Sequence, residues 1–575
     1  MNRIHDQLIA LYGETIGTTT YERLKSLLEQ HTTAKGDAAT RLRRGEVDER
    51  DALLITYADQ VHELNTLPLR TLADFCNRYL SCVVSGIHLL PFYPSSSDDG
   101  FSIVNYRQVD LALGGWADIA GIRRNFRLMF DGVINHVSAR SAWFQAFLRD
   151  DPKYRDYFIV VDDDPDLSQV VRPRALPLLT PVVTPSGEKK VWTTFSPDQI
   201  DLNYHNPEVL LDIIDTLLLY VERGAELIRL DAIAYLWKEI GTTCIHLPQT
   251  HRVIQLLRAV LDETAPQVLL ITETNVPHQD NVAYFGDGEN EAQLVYNFAL
   301  PPLILHTFHT GSARVLSEWA ASLSLPSSHV TFFNFLASHD GIGLNPALGI
   351  LSDDDIDALV TRTLAHGGLV SYKCNPDDTR SPYELNINYF DALSDPNARE
   401  PLATQIDRFV AAHASMLSLI GVPGLYFHSL FGSRGWPEGV QLTSRNRSIN
   451  RQKIERATLE QALNDPASRQ QRIFAHLKQL LQARASSPAF HPYGAQRVLQ
   501  FRDSIFAVLR ISPAGDRQVL CLHNISAQTQ VIQLDREWQT ATDLLATRTD
   551  SSEDRSAVTL APYQAMWLTR NDSNQ

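Results

Sequence analysis

Cysteine is scarce in this 575-residue chain, and the five present (Cys76, Cys82, Cys244, Cys374, Cys521) are odd in number and scattered. No CxxC pair or Cys/His spacing of metal-ligand type appears. The sequence therefore offers no disulfide framework and no metal site, and it points to a reducing, cytoplasmic setting. Basic excess is missing too. The formal net charge is −16, so there is no positive field to steer nucleic acid or an anionic membrane, and neither is expected as a partner. An anionic substrate would need a local basic cluster. No apolar run approaches a membrane span, and Met1-Asn2-Arg3-Ile4-His5-Asp6 leads into no hydrophobic signal region. What remains is an ordinary globular composition, 44% hydrophobic and 21% charged.

The pattern that is present is a rhythm. Apolar segments begin at Leu53-Leu54-Ile55-Thr56-Tyr57 and recur at Gly86–Phe92, Leu128–His136, Leu227–Asp231, Gln267–Glu273, Leu294–Phe298, Val330–Phe335 and Pro423–His428. Each reads as a buried strand, and helical patterns separate most of them. The clearest helix has Asn206 as its cap, Pro207 and Glu208 in the first turn, an apolar run from Val209 to Val221, and Gly224 as its stop. Eight strands alternating with helices predict a (β/α)8 TIM barrel. An open doubly wound sheet is the alternative, but it would want a glycine-rich phosphate loop after its first strand, and none is there.

The expected α/β organisation is a helical extension over 1–50, a barrel over 51–136 and 200–485, an inserted domain over 137–199 after the third strand, a second insertion over 341–397 after the seventh, and an all-β C-terminal domain over 486–575. In the extension, Tyr21, Leu24, Leu27 and Leu28 recur at helical spacing after a Thr18-Thr19-Thr20 start.

Polar groups gather where strands end. Asp131, Asn135 and His136 close the third strand, Arg229 and Asp231 the fourth, Glu273 the fifth, and His339 with Asp340 follow the seventh. Each alone reads as readily as a cap, a turn or a structural ion pair. Convergence on one rim points to catalysis, because barrel active sites draw on the C-terminal ends of several strands. Arg229 and Asp231 are two residues apart, hence on one face of a strand, so the guanidinium should keep Asp231 ionised. Glu273 ends an apolar strand, where burial should raise its pKa. Two carboxyls in opposite environments suit glycoside transfer, with one as nucleophile and one as proton donor. Phe101, Tyr57, Tyr235 and Trp237 are candidate surfaces for a sugar ring, or simply core.

These motifs carry a resemblance. Asp131-Gly132-Val133-Ile134-Asn135-His136, Ile228-Arg229-Leu230-Asp231, Ile271-Thr272-Glu273 and Ala337-Ser338-His339-Asp340 resemble, in order, the four motifs of the α-amylase superfamily, glycoside hydrolase family 13. Asp99-Gly100-Phe101, Arg172-Pro173-Arg174, Val191-Trp192-Thr193-Thr194-Phe195, Phe298-Ala299-Leu300-Pro301-Pro302, His339-Asp340-Gly341-Ile342-Gly343 and Arg447-Ser448-Ile449-Asn450-Arg451 are similar to its sucrose phosphorylase branch. The helical extension and Glu273-Thr274-Asn275-Val276-Pro277-His278 look most like the glucosylglycerate phosphorylases within it.

The resemblance implies Asp231 as nucleophile, Glu273 as acid/base and Asp340 as transition-state stabiliser. It implies a glucose site of Asp98, Phe101, His136, Phe195, Arg229, His339 and Arg447, an acceptor side of Tyr235, Asn275, Tyr383 and Glu384, and Gln199 as a further substrate-binding residue. Arg174 matches a phosphate-binding arginine; its alternative is an insertion-loop ion pair. Two positions depart from the sucrose phosphorylases: Asn275 replaces a histidine, and Glu384 an amide. The expectation is a retaining phosphorylase that splits an α-glucoside, best guess glucosylglycerate, with inorganic phosphate. Sucrose, glucosylglycerol and sucrose 6-phosphate stay open as substrates, with a hydrolase, a transglucosylase or a silent binding subunit behind them. No cofactor or metal is called for, and a homodimer is a family expectation.

Overall fold

Eight short apolar strands close into a parallel barrel in the computed structural model, which describes residues 3–33, 45–174, 176–375, 379–546 and 556–570. They are β1 (Leu53–Thr56), β2 (Gly86–Leu89), β3 (Arg127–Gly132), β4 (Ala225–Leu230), β5 (Leu269–Thr272), β6 (Leu294–Tyr296), β7 (Thr331–Asn334) and β8 (Val422–Tyr426), and β8 pairs back onto β1. The strands read as near-continuous apolar runs because both their faces are covered, one by the barrel interior and one by helices. This is the TIM barrel that the strand–helix rhythm predicts.

Two boundaries differ from the sequence reading. The third strand does not run to His136. It stops at Gly132, and His136–Ser138 forms a separate antiparallel pair with Gln199–Asp201, His136 opposite Asp201. Apolar Val133 and Ile134 bridge the two pieces, so hydrophobicity alone could not mark the break. At the N-terminus, helix α1 (Arg3–Tyr12) precedes α2 (Glu14–Thr33), with Gly13 at φ +78° between them. The threonine run lies inside α2 rather than at its start, and the Thr19 and Thr20 hydroxyls donate to carbonyls four residues back. The part of the extension at 34–44 lies outside the described residues.

Helix α3 (Pro207–Glu222) follows its sequence signals. The Asn206 side chain accepts from Glu208 N at 3.0 Å, and Gly224 ends the turn at φ +104°. The positive φ is what asks for glycine here, since a Cβ would meet only the exposed and movable Arg123 side chain. α2 lies along α3 through Arg23–Glu208 and His31–Asp215 pairs.

Between β3 and β4 a hairpin, Leu179–Thr184 with Gly187–Trp192, rises over the barrel mouth. After β7 a second antiparallel unit joins Ile342–Gly343, Arg380–Asn386 and Leu369–Cys374. Residues 376–378 of this insertion lie outside the described residues. Beyond helix Arg469–Ala485, a five-stranded sheet forms, with Ile505–Ile511 and Gln518–Asn524 central. Its residues alternate. Phe506, Val508, Val519 and Cys521 join the main core, while Ile505, Ala507, Leu520 and Leu522 join a second core under Ile532, Trp538 and Val558.

Replacing Asn206 by Ala removes the α3 cap. We expect it to lower stability by about 1 kcal/mol, read as a lower urea midpoint with turnover unchanged.

Candidate active site

Strand register builds the floor of the site. β3 and β4 set Asp131 opposite Arg229, and β4 and β5 set Ile271 opposite Arg229. Arg229 is 1% exposed, and a guanidinium there needs compensation. It has three partners. Nη1 donates to Asp131 Oδ1 and to Asp231 Oδ1, the latter at 2.9 Å, and Nη2 lies 3.7 Å from Glu273 Oε1. Asp131 also accepts from His88 Nε2 at 2.8 Å. Burial opposes charge on Asp131, but His88 and Arg229 overcome it and hold its pKa below the usual range.

The end of β4 then turns sharply. Ala232 sits in the left-handed region at φ +50°, ψ +31°, a costly place for alanine. The turn aims Ala232 N–H at Glu273 Oε2, 2.9 Å away. Asp231 and Glu273 thus share one buried space. Burial raises both pKa values, and the neighbouring carboxylates add repulsion. Arg229 does not keep Asp231 as acidic as the sequence suggested, because its charge is divided among Asp131, Asp231 and Glu273. Two close acids in such a site retain one proton between them. Asp231 has the direct guanidinium bond and Glu273 does not, so the proton belongs on Glu273.

Opposite them stands Asp340. Arg447 Nη1 contacts its Oδ1, Arg451 Nη2 lies 3.8 Å from the same oxygen, and His339 Nε2 is 3.4 Å from Oδ2. Burial alone would raise it; Arg447, His339 and Arg451 together drive its pKa well below the carboxylate range. His339 is pushed down to about 3 by burial and stacks on Phe101 at 4.8 Å and 4°. At the insertion side, Asp98 Oδ2 accepts from Arg174 Nη2 and from Gln199 Nε2, both at 3.2 Å. Arg174, Arg447 and Arg451 together outweigh burial and keep Asp98 ionised. His136 donates Nε2–H to Phe101 O at 3.0 Å and accepts at Nδ1 from Asn135. Phe195 meets Tyr235 edge-on at 5.5 Å, and Arg174 lies over its ring at 5.7 Å.

All the catalytic, substrate-binding and phosphate residues implied by the resemblance, except Arg229 and Glu384, line this one cavity, whereas the strand-end residues Asp131 and Asn135 are buried outside its lining. Arg229 lies beneath its floor. Glu384 lines the adjoining outer cavity together with Arg174, Tyr383 and Arg447. It is 2% exposed behind Arg447, holding Nε and Nη2 at 2.9 and 2.7 Å and accepting Gly341 N–H at 2.6 Å. Two candidate platforms also fall elsewhere. Tyr57 is packed edge-on against His339, and Trp237 sits under His205 and Tyr12. The sequence reading passed over His88, whose only signal was a histidine inside an apolar strand. It also passed over Arg451, which donates to His339 O at 2.8 Å and closes the quoted Arg447–Arg451 motif. Among the described residues no trio of His, Cys, Asp or Glu is arranged to hold a metal ion, and no helix is long and apolar enough to cross a membrane.

A floor arginine under one carboxyl, a second carboxyl beside it and a third held by an arginine pair is a geometry for displacement at a sugar carbon. Residues 79–341 match the α-amylase catalytic domain. The chain belongs to the α-amylase family, glycoside hydrolase family 13. It is 54% identical to a glucosylglycerate phosphorylase of Allomeiothermus silvanus over 92% of each chain. It is 45% identical to a glucosylglycerate phosphorylase of Escherichia coli, over 98% of this chain and 99% of the other. The crystal structure of sucrose 6F-phosphate phosphorylase from Thermoanaerobacter thermosaccharolyticum superposes with TM-score 0.72 at 25% identity, covering 85% of this chain and 96% of that one. The family membership expected from the four strand-end motifs is therefore met, and its members of this branch are glycoside phosphorylases.

Removing one partner of the buried Arg229 cluster tests its weight. Asp131→Ala is expected to cost about 3–5 kcal/mol, seen as a large drop in thermal midpoint, with Asp131→Asn milder because it keeps an acceptor for His88.

Proposed function

We propose that the protein is a retaining phosphorylase that cleaves 2-O-α-D-glucosylglycerate with inorganic phosphate, giving α-D-glucose 1-phosphate and glycerate. The observation that carries this reading is the 54% identity, over 92% of the chain, to a protein named glucosylglycerate phosphorylase. The site's chemistry supports it.

Asp231, hydrogen-bonded to Arg229, attacks the anomeric carbon. The bond to the glycerate oxygen breaks, and the proton of Glu273 goes to that oxygen. A β-glucosyl ester on Asp231 remains. Phosphate then attacks the same carbon from the vacated side, its proton passes to Glu273, and the ester bond breaks to release Asp231. Two inversions leave the α configuration unchanged. Asp340, kept ionised by Arg447 and Arg451, accepts hydrogen bonds from sugar hydroxyls that strengthen as the carbon becomes cationic. The stacked Phe101–His339 pair and Phe195 give the ring apolar faces. Arg174 receives the phosphate. The two readings of Arg174, ion pair and phosphate ligand, are compatible, since its Nη2 meets Asp98 and a guanidinium carries further N–H donors. A cytoplasmic location fits the free thiols of Cys76, Cys82, Cys244 and Cys521.

Incubation of the protein with glucosylglycerate should yield glucose 1-phosphate only when phosphate is supplied. Free glucose as the main product would instead make the protein a hydrolase. The raised pKa of Glu273 also sets a pH limb. Activity persists while Glu273 is protonated and falls as pH rises through its pKa, whereas the acid limb follows protonation of Asp231. Glu273→Gln should lower kcat on the glucoside by roughly 10²–10⁴-fold. With α-glucosyl fluoride, whose leaving group needs no proton, the same variant should keep far more activity and lose the alkaline limb.

A further inference from the structure

We infer that Arg174 holds the carboxylate of the departing glycerate and then the incoming phosphate, one guanidinium serving both anions in turn. The inference rests on the phosphorylase reading above and adds to it the group that recognises the acid.

Both anions need a cation in a protein of net charge −16. Among the described residues two arginines line the cavity, Arg174 and Arg447. Arg447 is occupied. Its Nε and Nη2 are fixed on Glu384 and its Nη1 on Asp340, so two carboxylates face one guanidinium and no positive charge is left for a ligand. Glu384, where the sucrose phosphorylases are expected to carry an amide, is what disarms it. Arg451 lies outside the cavity lining, bound to His339 O and Asp99.

Arg174 is the opposite case. Its side chain is 30% exposed and makes one 3.2 Å contact, to Asp98 Oδ2. That oxygen also accepts from Gln199 Nε2, so Asp98 keeps a partner when Arg174 turns away. The Phe195 ring beneath the guanidinium gives it a surface to slide on. Arg174, Tyr383, Tyr235 and Glu273 line the same cavity, and the Phe195 ring under Arg174 meets Tyr235 edge-on, so the guanidinium and the proton donor face one shared space.

The chemistry permits sharing. Glycerate must depart before a phosphate oxygen can reach the same face of the glucosyl carbon, so the two anions never need the site together. Carboxylate and phosphate both present oxygen pairs that the guanidinium fork can grip.

The test uses α-glucosyl fluoride as donor, so that the only anion under study is the acceptor. Transfer to D-glycerate, to phosphate and to neutral glycerol is measured for wild type, Arg174→Gln, Arg174→Lys and Arg445→Gln. Arg445 is exposed at the outer mouth and removes an equal charge without reaching the cavity floor. Arg174→Gln should raise KM for glycerate and for phosphate roughly tenfold to hundredfold, the loss of a charge-assisted hydrogen bond. It should change glycerol transfer less than about threefold, which also reports an intact fold. Arg174→Lys should recover part of both losses, and Arg445→Gln should leave all three acceptors within about threefold. A rise in KM for phosphate alone, or an Arg445→Gln effect equal to that of Arg174→Gln, would overturn the inference. A wild type that transfers to phosphate and not to glycerate would overturn it together with the proposed substrate; an Arg174→Gln variant that uses glycerate as well as the wild type does would overturn the inference only.

Discussion

One buried guanidinium sets the terms for the rest of the site. Arg229 sits at the end of β4 with no solvent to dissipate its charge, and it is tolerated because Asp131, Asp231 and Glu273 surround it. Barrel closure makes this arrangement. β3 brings Asp131 level with Arg229, β4 carries Asp231 two residues on, and β5 ends just before Glu273. The left-handed Ala232 then turns the chain so that a backbone N–H faces Glu273 rather than water. Dividing the charge has a consequence for chemistry. Arg229 is too shared to make every neighbour a strong acid, so the pair Asp231 and Glu273 keeps one proton, the state that a nucleophile and a proton donor require together.

A second division of charge separates sugar from anion. Arg447 and Arg451 are turned inward onto Asp340, Glu384 and Asp99, so they shape the sugar site and contribute no net attraction for an anionic group. Arg174, on the insertion between β3 and β4, is held loosely. Rigid cations thus belong to the barrel end of the cavity and the adaptable one to the overhanging insertion, where exchange of acceptor for phosphate calls for movement. Lys238 secures that insertion at its root, donating to Asn135 and pairing with Asp201 beneath the hairpin.

The barrel was legible in the sequence because each strand is apolar on both faces and is set off by helical stretches. The nucleophile and the acid were legible because each directly follows the last residue of a strand, so finding the strand finds the residue; Asp340, six residues past the end of β7, was legible through the Ala337-Ser338-His339-Asp340 motif. Other parts depend on contacts that no local pattern carries. The break after Gly132 passes through Val133 and Ile134, which look like more strand. Glu384 reads as an acceptor-loop residue, and its hold on Arg447, 63 residues away in sequence, shows only in the fold. Tyr57 directly follows β1 and Trp237 lies two residues after Tyr235, yet neither lines the cavity, since a side chain's direction near a strand end follows the turn taken there. His88 was hidden for the converse reason: it lies inside a strand, and only the register of β2 against β3 brings it to Asp131.

The central claim is that the Arg229-bound carboxyl of Asp231 becomes covalently glucosylated during turnover. The most direct measurement traps this species with a fluorinated α-glucosyl fluoride that forms the ester quickly and releases it slowly, followed by digestion and peptide mass mapping. The account predicts one hexosyl unit on the peptide containing Asp231, lost on addition of phosphate. An adduct on another residue, or phosphorolysis at full rate with no adduct at all, would contradict it.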